Sequence, residues 1–541
     1  MRLARYVHTL RHLRPVQVYG RLWHRLHTPA PDLRPPPALR KAEAGWPGPA
    51  LRPVSLVAPG RLRLLAEERD IRSSHDWRDA HPAMLWMYNL HYFEDLNAPE
   101  DAVRTSWQRE LIESWLEGNP PVSGCGWDPY PISLRTMSWV RWLLRGNAPV
   151  PRMIESLAIQ ARHLRRRLEH HLLGNHLFVN AKALVIAGTF FEGPEADAWR
   201  NEGHRLLERE LAEQLLADGG HFERSPMYQA LLLEDLLDLL ALEEVYPGTS
   251  TIVSRLRRSA AAMLTWLQVM THPDGDIALF NDATLGVAAT TEELARYARR
   301  VGVATNDAER GDRDLAASGY TRVERAGAVL IADTAPLGPN YLLGHGHADT
   351  LSFELTIAGR RLIVDSGVSE YGTSSERLRQ RGTAAHNTVV VDQCDSSEVW
   401  SGFRVARRAR IEQRAIDLDG ETARIRAAHT GYRRLPGRVT HARSWSMRDG
   451  VLEIDDELRG GGTHLLEVVL HLAPEVRPER RDDTTWALGE QVEMNVDPAL
   501  RWSALPSTYH PAMGVRVPTW RLLGTVESTL PQRIRTRITW K

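Results

Sequence analysis

The chain has 541 residues, of which 43% are hydrophobic and 25% are charged, as in an ordinary globular protein. This length exceeds what one hydrophobic core supports, so two or three domains are expected. Lysine plus arginine and aspartate plus glutamate each number 68, and the resulting zero net charge argues against nucleic acid as the main partner. Only two cysteines occur, Cys125 and Cys394, which excludes a disulfide framework and a CxxC metal site.

Residues 1–74 form a segment that precedes the main domains. The segment starts with the basic, amphipathic stretch MRLARYVHTLRHLRPVQVYGRLWHRL, and its proline-rich part, 28–60, predicts an extended surface wrap. The basic start predicts a helix docked on the domain surface, with loose attachment to an anionic membrane face as the alternative. It lacks the apolar core of a secretory signal, and the chain has no run of about 18 apolar residues. We therefore expect no integral membrane segment, and a location in the cytoplasm or at the inner membrane.

Two further regions predict an α+β multidomain protein. Residues 75–312 carry leucine- and alanine-rich stretches with helical spacing, separated by short links, which predicts antiparallel helices in a bundle, a toroid or a solenoid. Residues 313–541 carry short runs rich in valine, isoleucine and leucine, such as LSFELTIAG and NTVVVDQ, which predict an antiparallel β-sandwich. The order of helices before strands predicts two segregated domains with a ligand cleft between them.

The motif YNLHYFEDL, residues 88–96, places Tyr88, Asn89 and His91 close together in the sequence. Such residues can hydrogen-bond to a sugar and stack on it. A helix with satisfied buried polar groups is an equally good explanation.

The motif GWDPYPISLR, residues 126–135, has two prolines that predict a stiff, irregular loop presenting Trp127, Tyr130 and Arg135. An arginine in such a loop can bind a carboxylate or a sulfate with two hydrogen bonds. An ordinary salt bridge within the loop is the alternative.

Two later motifs of the helical region, GNHLFVNAKAL and GGHFERSPMYQ, carry Asn175, His176, His221, Glu223 and Tyr228. Asparagine is favoured at helix starts, so capping competes with a functional role for Asn175. Tyr228 opens an apolar helix, where a core aromatic residue with a bonded hydroxyl is the alternative.

The strand region contains GHGHADTLSFELTIAGRRLIVDSG, residues 344–367, followed by AAHNTVVVDQ. Its residues His347, Asp365 and His386 form a plausible first shell for Zn²⁺, with a hydrogen-bonded His–Asp network as the alternative. The segment VSEYGTSSERLRQR lies between these two stretches, and it predicts a plain surface loop with solvated arginines. The alternative is that it forms part of a substrate site beside the histidines of the strand region.

Six motifs in this order resemble the heparinase II/III-type polysaccharide lyases, which include alginate and heparan lyase relatives. They are YNLHYF, WDPYPISLR, GNHLFVNAKAL, GGHFERSPMY, HGHADTLSFEL and AAHNTVVVD. The resemblance implies an incomplete (α/α) toroid followed by an antiparallel β-sandwich. It also implies β-elimination at a uronic acid, so that the expected partner is an acidic polysaccharide and no organic cofactor is needed.

β-Elimination requires a group that neutralises the uronate carboxylate, a base for the C5 proton and an acid for the leaving oxygen. By resemblance, Asn175 matches the carboxylate-neutralising position, with His176 beside it. Tyr228 matches the catalytic tyrosine, which acts as acid and in part as base, and His345 matches the catalytic histidine. A free tyrosine has a pKa near 10, so a basic role needs a neighbouring cation, for which Arg135 and His221 are candidates.

The resemblance also implies binding roles. His347, Asp365 and His386 match positions that hold Zn²⁺ in some relatives, where the metal braces the loop that carries His345. The expected substrate-binding residues are the other polar and aromatic members of the motifs, namely Tyr88, Asn89, His91, Trp127, Tyr130, Arg135, His221 and Glu223.

Two other functions remain open: a catalytically silent glycan-binding or assembly protein, and a metal-dependent glycan hydrolase. The stretch HLRPVQVYGRL near the start is similar to that of family members associated with bacterial exopolysaccharide production. This analogy leaves synthesis and degradation of the polymer equally open.

Overall fold

The computed structural model describes residues 2–79, 83–305 and 311–541. Two helices, Arg2–Leu10 and Pro15–Leu26, begin the chain. A small antiparallel sheet follows, with strands Leu56–Ala58, Arg61–Leu64 and Glu67–Asp70. The sequence analysis missed this sheet, because its strands are short and charged and one of its turns uses Leu65 and Ala66, both with positive φ, where asparagine and glycine are usual.

The proline-rich stretch crosses the carboxyl ends of three long helices. The backbone N–H groups of Arg40, Glu43 and Trp46 donate to the carbonyl oxygens of Phe190, Val245 and Leu144, at 2.9, 3.0 and 2.9 Å. Each of these carbonyls belongs to the last residue of a helix and has no partner within that helix. The wrap therefore stabilises the helical domain by completing the hydrogen bonds of its helix ends.

The helical domain packs its helices around a core rich in leucine and tryptophan. Its helices in the described ranges are Asp76–Asp79, Met84–Tyr92, Ala102–Gly118, Pro129–Leu144, Met153–Arg166, Gly174–Phe190, Pro194–Gln214, Pro226–Val245, Val253–Val269 and Thr291–Arg300. The helix Gly174–Phe190 contacts Pro129–Leu144, Met153–Arg166 and Pro194–Gln214, and Pro226–Val245 contacts Val253–Val269, which fits the expected (α/α) arrangement.

The motif GWDPYPISLR differs from its predicted form. The predicted loop is wrong from Pro129 onward, because the helix Pro129–Leu144 begins there. Proline is tolerated in the first turn of a helix, where the missing N–H has no intrahelical partner, so Pro129 and Pro131 open the helix without breaking it.

The strand domain begins at Arg313 and consists of antiparallel sheets. A five-stranded sheet contains, in order, Arg313–Leu315, Tyr320–Arg325, Ala328–Asp333, Phe353–Ile357 and Arg360–Ile363. An eight-stranded sheet contains, in order, Ile411–Asp417, Ala423–His429, Thr440–Arg448, Val451–Arg459, Gln532–Trp540, Val492–Val496, Thr485–Ala487 and Glu479–Arg480. A four-stranded sheet contains Arg501–Tyr509, Val517–Thr529, Thr463–His471 and Val389–Val391.

Alternating side chains bury one face of the eight-stranded sheet, whereas Ala328–Asp333 and Phe353–Ile357 of the five-stranded sheet are buried at every position. In Thr440–Arg448, for example, every second residue is buried, and Trp445 pairs with Ile454 of the next strand inside the core. A pair of two-residue strands, Val399–Trp400 and Arg404–Val405, and a short helix, Ser375–Arg381, lie in the connections. In the parts of the chain that the structure describes, no helix has the length and apolar character needed to cross a bilayer.

Candidate active site

The candidate site lies where the helical domain meets the strand domain. Tyr228 stands in the first turn of the helix Pro226–Val245, and the Ser225 hydroxyl caps this helix by accepting from the Tyr228 N–H. His345 comes from the loop before the strand Phe353–Ile357. The rings of Tyr228 and His345 lie 4.2 Å apart between centroids, so the two predicted catalytic residues meet across the domain boundary.

Asp282 holds His345 in place. Its carboxylate accepts from His345 Nδ1 at 2.8 Å, from His347 Nε2 at 2.8 Å and from both terminal nitrogens of Arg377 at 2.5 and 2.6 Å. Burial alone would raise the pKa of this carboxyl, but Arg377 and the two imidazoles hold the pKa well below its ordinary value. An ionised Asp282 only accepts hydrogen bonds, so His345 carries a proton on Nδ1, and in the neutral ring it is Nε2 that presents the lone pair.

The segment after the strand Arg360–Ile363 also belongs to the site, and the prediction of a solvated surface loop is wrong for it. Its helix Ser375–Arg381 buries Arg377 against Asp282 and buries Arg381, which donates to the carbonyl of Gly346 at 2.7 Å. The Tyr371 hydroxyl lies 3.3 Å from that of Tyr228. Two arginines of the alternating run therefore support the loop that carries His345.

Asn175 and His176 stand in the first turn of the helix Gly174–Phe190. The capping alternative for Asn175 is wrong, because the helix begins at Gly174 and the preceding residue makes no side-chain cap. The Asn175 side chain instead lies near enough to the Tyr130 hydroxyl to influence its pKa, and the His176 ring packs on the Tyr130 ring with 4.5 Å between centroids. Both residues are partly exposed, so they are accessible to a ligand.

His176 pairs with Glu169. The distance between His176 Nδ1 and Glu169 Oε1 is 3.1 Å, and the His176 side chain is 33% exposed. Burial opposes the charged imidazole, but Glu169 outweighs it and raises the pKa of His176. This arrangement favours a cationic imidazolium beside Asn175.

His221 and Glu223 lie beneath the same site. Burial lowers the pKa of His221 to about 3, so this ring is neutral, and its Nε2 contacts Gln214 Oε1 at 3.1 Å. Glu223 is buried, and neither carboxyl oxygen has a hydrogen-bond partner in the described residues. Burial raises the pKa of Glu223, whose Oε2 lies 3.7 Å from His345 Nε2. Glu223 also acts electrostatically on His176, so it lies near both imidazoles.

Three residues predicted to bind substrate lie in the aromatic core, because the helices turn them inward. His91 is fully buried and accepts from Trp115 Nε1 at 3.0 Å. Arg135 is fully buried and donates to Gln160 and to the carbonyl of Gly126, at 2.9 and 2.8 Å. Trp127 is 4% exposed. The prediction of substrate contact is wrong for His91 and Arg135, and the structure gives Trp127 almost no surface for it.

Tyr88, Asn89 and Tyr130 remain nearer the surface. The Tyr88 hydroxyl donates to Asp128 at 2.7 Å, and Asn89 donates to the carbonyl of Leu85 in its own helix at 2.8 Å. Tyr130 contacts Asn175 and His176, as described above. Of this motif set, Tyr130 is the residue that the fold brings directly to the candidate catalytic residues.

The predicted metal ligands lie together behind His345. The rings of His347 and His386 are 5.3 Å apart, and His386 Nδ1 lies 2.7 Å from Asp365 Oδ2. His347 Nδ1 and His386 Nε2 are buried and have no hydrogen-bond partner within the described residues. Two unpartnered imidazole nitrogens suit a metal, but no group of three or more His, Cys, Asp or Glu residues in the described ranges is arranged to hold one.

Sequence reasoning missed Asp282, Glu169 and the full role of Tyr371. Asp282 follows Asn281, a residue with a φ of 58° in a link between helices, where no hydrophobic period marks it. Asparagine tolerates this left-handed conformation. The Asn-Asp pair is therefore the one sequence feature that indicates an unusual turn at Asp282. Glu169 lies in a basic stretch, RRRLEHHLL, which is typical of an ordinary helix end and does not indicate a functional carboxylate.

Comparison with known proteins agrees with this architecture. Residues 150–302 match the family model of the heparinase II/III N-terminus, and residues 307–514 match that of the heparinase II/III-like C-terminal region. The crystal structure of a heparinase III has a TM-score of 0.66 with this chain at 17% identity, and the match covers 96% of this chain and 88% of the other.

Two curated relatives illustrate the range of similar proteins. A heparin-sulfate lyase from Bacteroides stercoris is 26% identical over 255 residues, which are 42% of this chain and 38% of that protein. FtsZ-localized protein C from Caulobacter vibrioides is 28% identical over 409 residues, which are 70% of this chain and 65% of that protein. The chain thus matches less than two thirds of the length of either relative. By its two consecutive family matches and its fold, the chain belongs to the heparinase II/III-like family.

Proposed function

We propose that this protein is a polysaccharide lyase that cleaves a uronate-containing acidic polysaccharide by β-elimination. The observation that carries the proposal is the contact between Tyr228 and His345, with His345 oriented by Asp282. Relatives named heparin-sulfate lyase support the same reaction class.

The first requirement of the reaction is a group that binds the uronate carboxylate. Asn175 supplies an amide and His176 an imidazole whose raised pKa favours the cation, side by side at the start of one helix. A cation and a hydrogen-bond donor aimed at this carboxylate stabilise the enediolate that forms when the C5 proton leaves. Burial raises the pKa of Glu223, which favours its neutral form, and a neutral carboxyl repels an acidic sugar less than a carboxylate does.

The second requirement is a base and an acid on the reacting ring. Asp282 holds the proton of His345 on Nδ1, so the lone pair of the neutral ring lies on Nε2 and suits the role of base for the C5 proton. Burial raises the pKa of Tyr228 well above its ordinary value, so its phenol stays protonated and suits protonation of the leaving O4. Neither candidate cation is available to stabilise a tyrosinate, because Arg135 lies in the core and His221 is neutral.

We propose, separately, that His347, Asp365 and His386 bind Zn²⁺ as a structural brace. The support is chemical: His347 donates to Asp282 through Nε2, so its Nδ1 lone pair is free, and His386 Nε2 is likewise unpartnered. A bound metal would supply a rigid link between the loops that carry these histidines. No step of the elimination is assigned to the metal.

A catalytically silent glycan-binding or assembly protein is the second candidate. It is favoured by one observation: FtsZ-localized protein C matches 70% of this chain, and its name describes a location instead of an activity. The complete set of acid, base and carboxylate-binding groups at the site favours the lyase.

The test is incubation of the purified chain with a panel of uronate polymers, including bacterial exopolysaccharides, with detection of the ultraviolet absorbance of unsaturated uronates. We expect product from the parent chain and its loss in His345→Ala, while Leu33→Ser, a change of an exposed residue, retains activity. A folded parent that yields no unsaturated product from any uronate polymer, yet binds one, supports the silent binding protein instead.

A further inference from the structure

The two N-terminal helices display their apolar faces to solvent. The exposed apolar residues of Arg2–Leu10 are Leu3, Tyr6, Val7 and Leu10, and those of Pro15–Leu26 are Val18, Tyr19, Leu22, Trp23 and Leu26. Their spacing by three and four residues places each set on one face of its helix. We call these nine residues the N-terminal apolar surface. Their side chains are 44% to 83% exposed, with Tyr6 lowest and Leu26 highest.

The helices dock on the body largely through polar groups, which is the reverse of an ordinary surface helix, and of the apolar surface Tyr6 also contacts the Trp400 ring, at 4.9 Å between centroids. Gln17 is buried and donates to the carbonyl of Tyr341 at 3.1 Å. Thr9 Oγ1 accepts from Trp400 Nε1 at 3.1 Å. Gly20 approaches the body so closely that an added Cβ would lie 2.9 Å from that of His171. Specific contacts therefore hold the apolar surface outward.

The surface is concentrated in one part of the molecule. Among the described residues, fifteen large hydrophobic side chains are exposed, and nine of them belong to the N-terminal apolar surface. The other six are Leu33, Leu39, Val54, Met84, Val103 and Phe403. Scattered apolar residues are normal on a protein surface, but a contiguous patch marks an interaction site.

Basic residues accompany this surface. The first acidic residue of the chain is Asp32, and six arginines precede it. Arg404 lies close enough to Arg21 for the two to repel each other. Within the ranges 2–79, 83–305 and 311–541, no carboxylate forms an ion pair with Arg11, Arg21, Arg25, Arg404 or Arg410. An apolar face accompanied by arginines without carboxylate partners is complementary, in charge and in polarity, to an anionic surface with an apolar interior.

From this combination we infer that the N-terminal apolar surface binds the interface of an anionic lipid bilayer. The helices have nine and twelve residues, so they lie in the headgroup region and do not span the membrane. Tyr6, Tyr19 and Trp23 suit this region, because their rings combine apolar area with a polar atom.

A basic cavity next to the second helix fits the same ligand. It has a volume of about 600 Å³ and lies between the helix Pro15–Leu26 and the segment 165–173. Its lining includes five arginines, three glutamates and Trp23 of the apolar surface. Arg165 and Arg209 pair with Glu202 and Glu210, whereas Arg167 forms no ion pair with a carboxylate in the described residues. A phosphate headgroup in this cavity leaves its acyl chains beside the exposed apolar side chains.

The inference is tested by sedimentation of the full chain with vesicles of neutral phosphatidylcholine and with vesicles that also contain phosphatidylglycerol. We expect binding to the anionic vesicles, with a loss of about fivefold in affinity per arginine replaced, as in Arg21→Ser and Arg25→Ser. Trp23→Ser with Leu26→Ser abolishes binding, whereas the matched pair Leu33→Ser with Val103→Ser, also exposed, retains it. Circular dichroism and thermal unfolding check that each variant is folded.

Three results overturn the inference. The folded parent fails to sediment with anionic vesicles at low salt, or it binds neutral and anionic vesicles equally well. Alternatively, Trp23→Ser with Leu26→Ser converts a dimer of the parent into a monomer without changing lipid binding, which assigns the surface to a second copy of the chain. None of these results depends on lyase activity.

Discussion

Replacing Tyr228 by phenylalanine tests the role of its hydroxyl with little disturbance of the fold. In the described residues, this hydroxyl makes one hydrogen bond, at 3.3 Å to the Tyr371 hydroxyl. Losing one such bond costs at most about 1.5 kcal/mol of the free energy of unfolding. Losing the acid that protonates the leaving oxygen lowers kcat by about 10²–10⁴-fold, which is about 3–5 kcal/mol in the activation free energy. The assay is the initial rate of unsaturated uronate formation at saturating substrate.

Tyr371→Phe is the matched control, because it removes the same hydrogen bond from the other side. We expect its kcat to stay within about tenfold of the parent value, since Tyr371 supports Tyr228 without being the acid. If Tyr228→Phe keeps kcat within that range, or if both variants lose activity equally, the assignment of Tyr228 as the acid is refuted.

Three further predictions concern the charges around the site. Asp282→Asn leaves Arg377 without its buried partner, so denaturant unfolding should show a loss of about 3–5 kcal/mol, and the pH dependence of kcat/KM should shift. Glu169 raises the pKa of His176, so the stability from this pair is complete below the ordinary value of 6.5 and is lost as pH rises through the raised pKa. Affinity for an acidic polymer should fall over the same interval, and Glu169→Gln should remove both effects. Chelation should lower Tm in calorimetry while turnover persists at lower temperature, if Zn²⁺ braces the strand-domain histidines.

Exposed carboxylates provide matched controls for these changes. Asp449→Asn and Glu117→Gln should leave the stability and the pH dependence unchanged. An Asp282→Asn variant as stable as the parent contradicts the central role of that carboxylate. A Glu169→Gln variant with the parental pH dependence contradicts the pairing with His176. Immediate loss of turnover on chelation favours a metal-dependent hydrolase over a structural brace.

The sequence predicted the two-part fold well, because its signals are local. The spacing of hydrophobic residues changes from a helical to a strand period near residue 313, where the first strand of the sandwich begins. Tyr228 and His345 could be proposed because each stands in a recognisable motif. Their contact joins two domains and depends on how the domains pack, which no local pattern encodes.

Burial explains most of the errors. His91 and Arg135 carry groups that suit a sugar, but their helices turn them into the core, where Trp115 and Gln160 satisfy them. Arg377 occupies an alternating run of arginines that normally indicates solvated charge. Its burial depends on Asp282, a residue from a distant link, so the pair becomes visible only after folding.

The masses of the products test the central claim most directly. The elimination proposed for Tyr228 and His345 would leave each new non-reducing end as an unsaturated uronate, so each cleavage would yield a fragment lighter by one water than the hydrolytic fragment. Mass spectrometry of digests of an accepted uronate polymer should find this deficit once per cleavage. Fragments of the full hydrolytic mass, formed at the parental rate and lost in His345→Ala, would contradict the account.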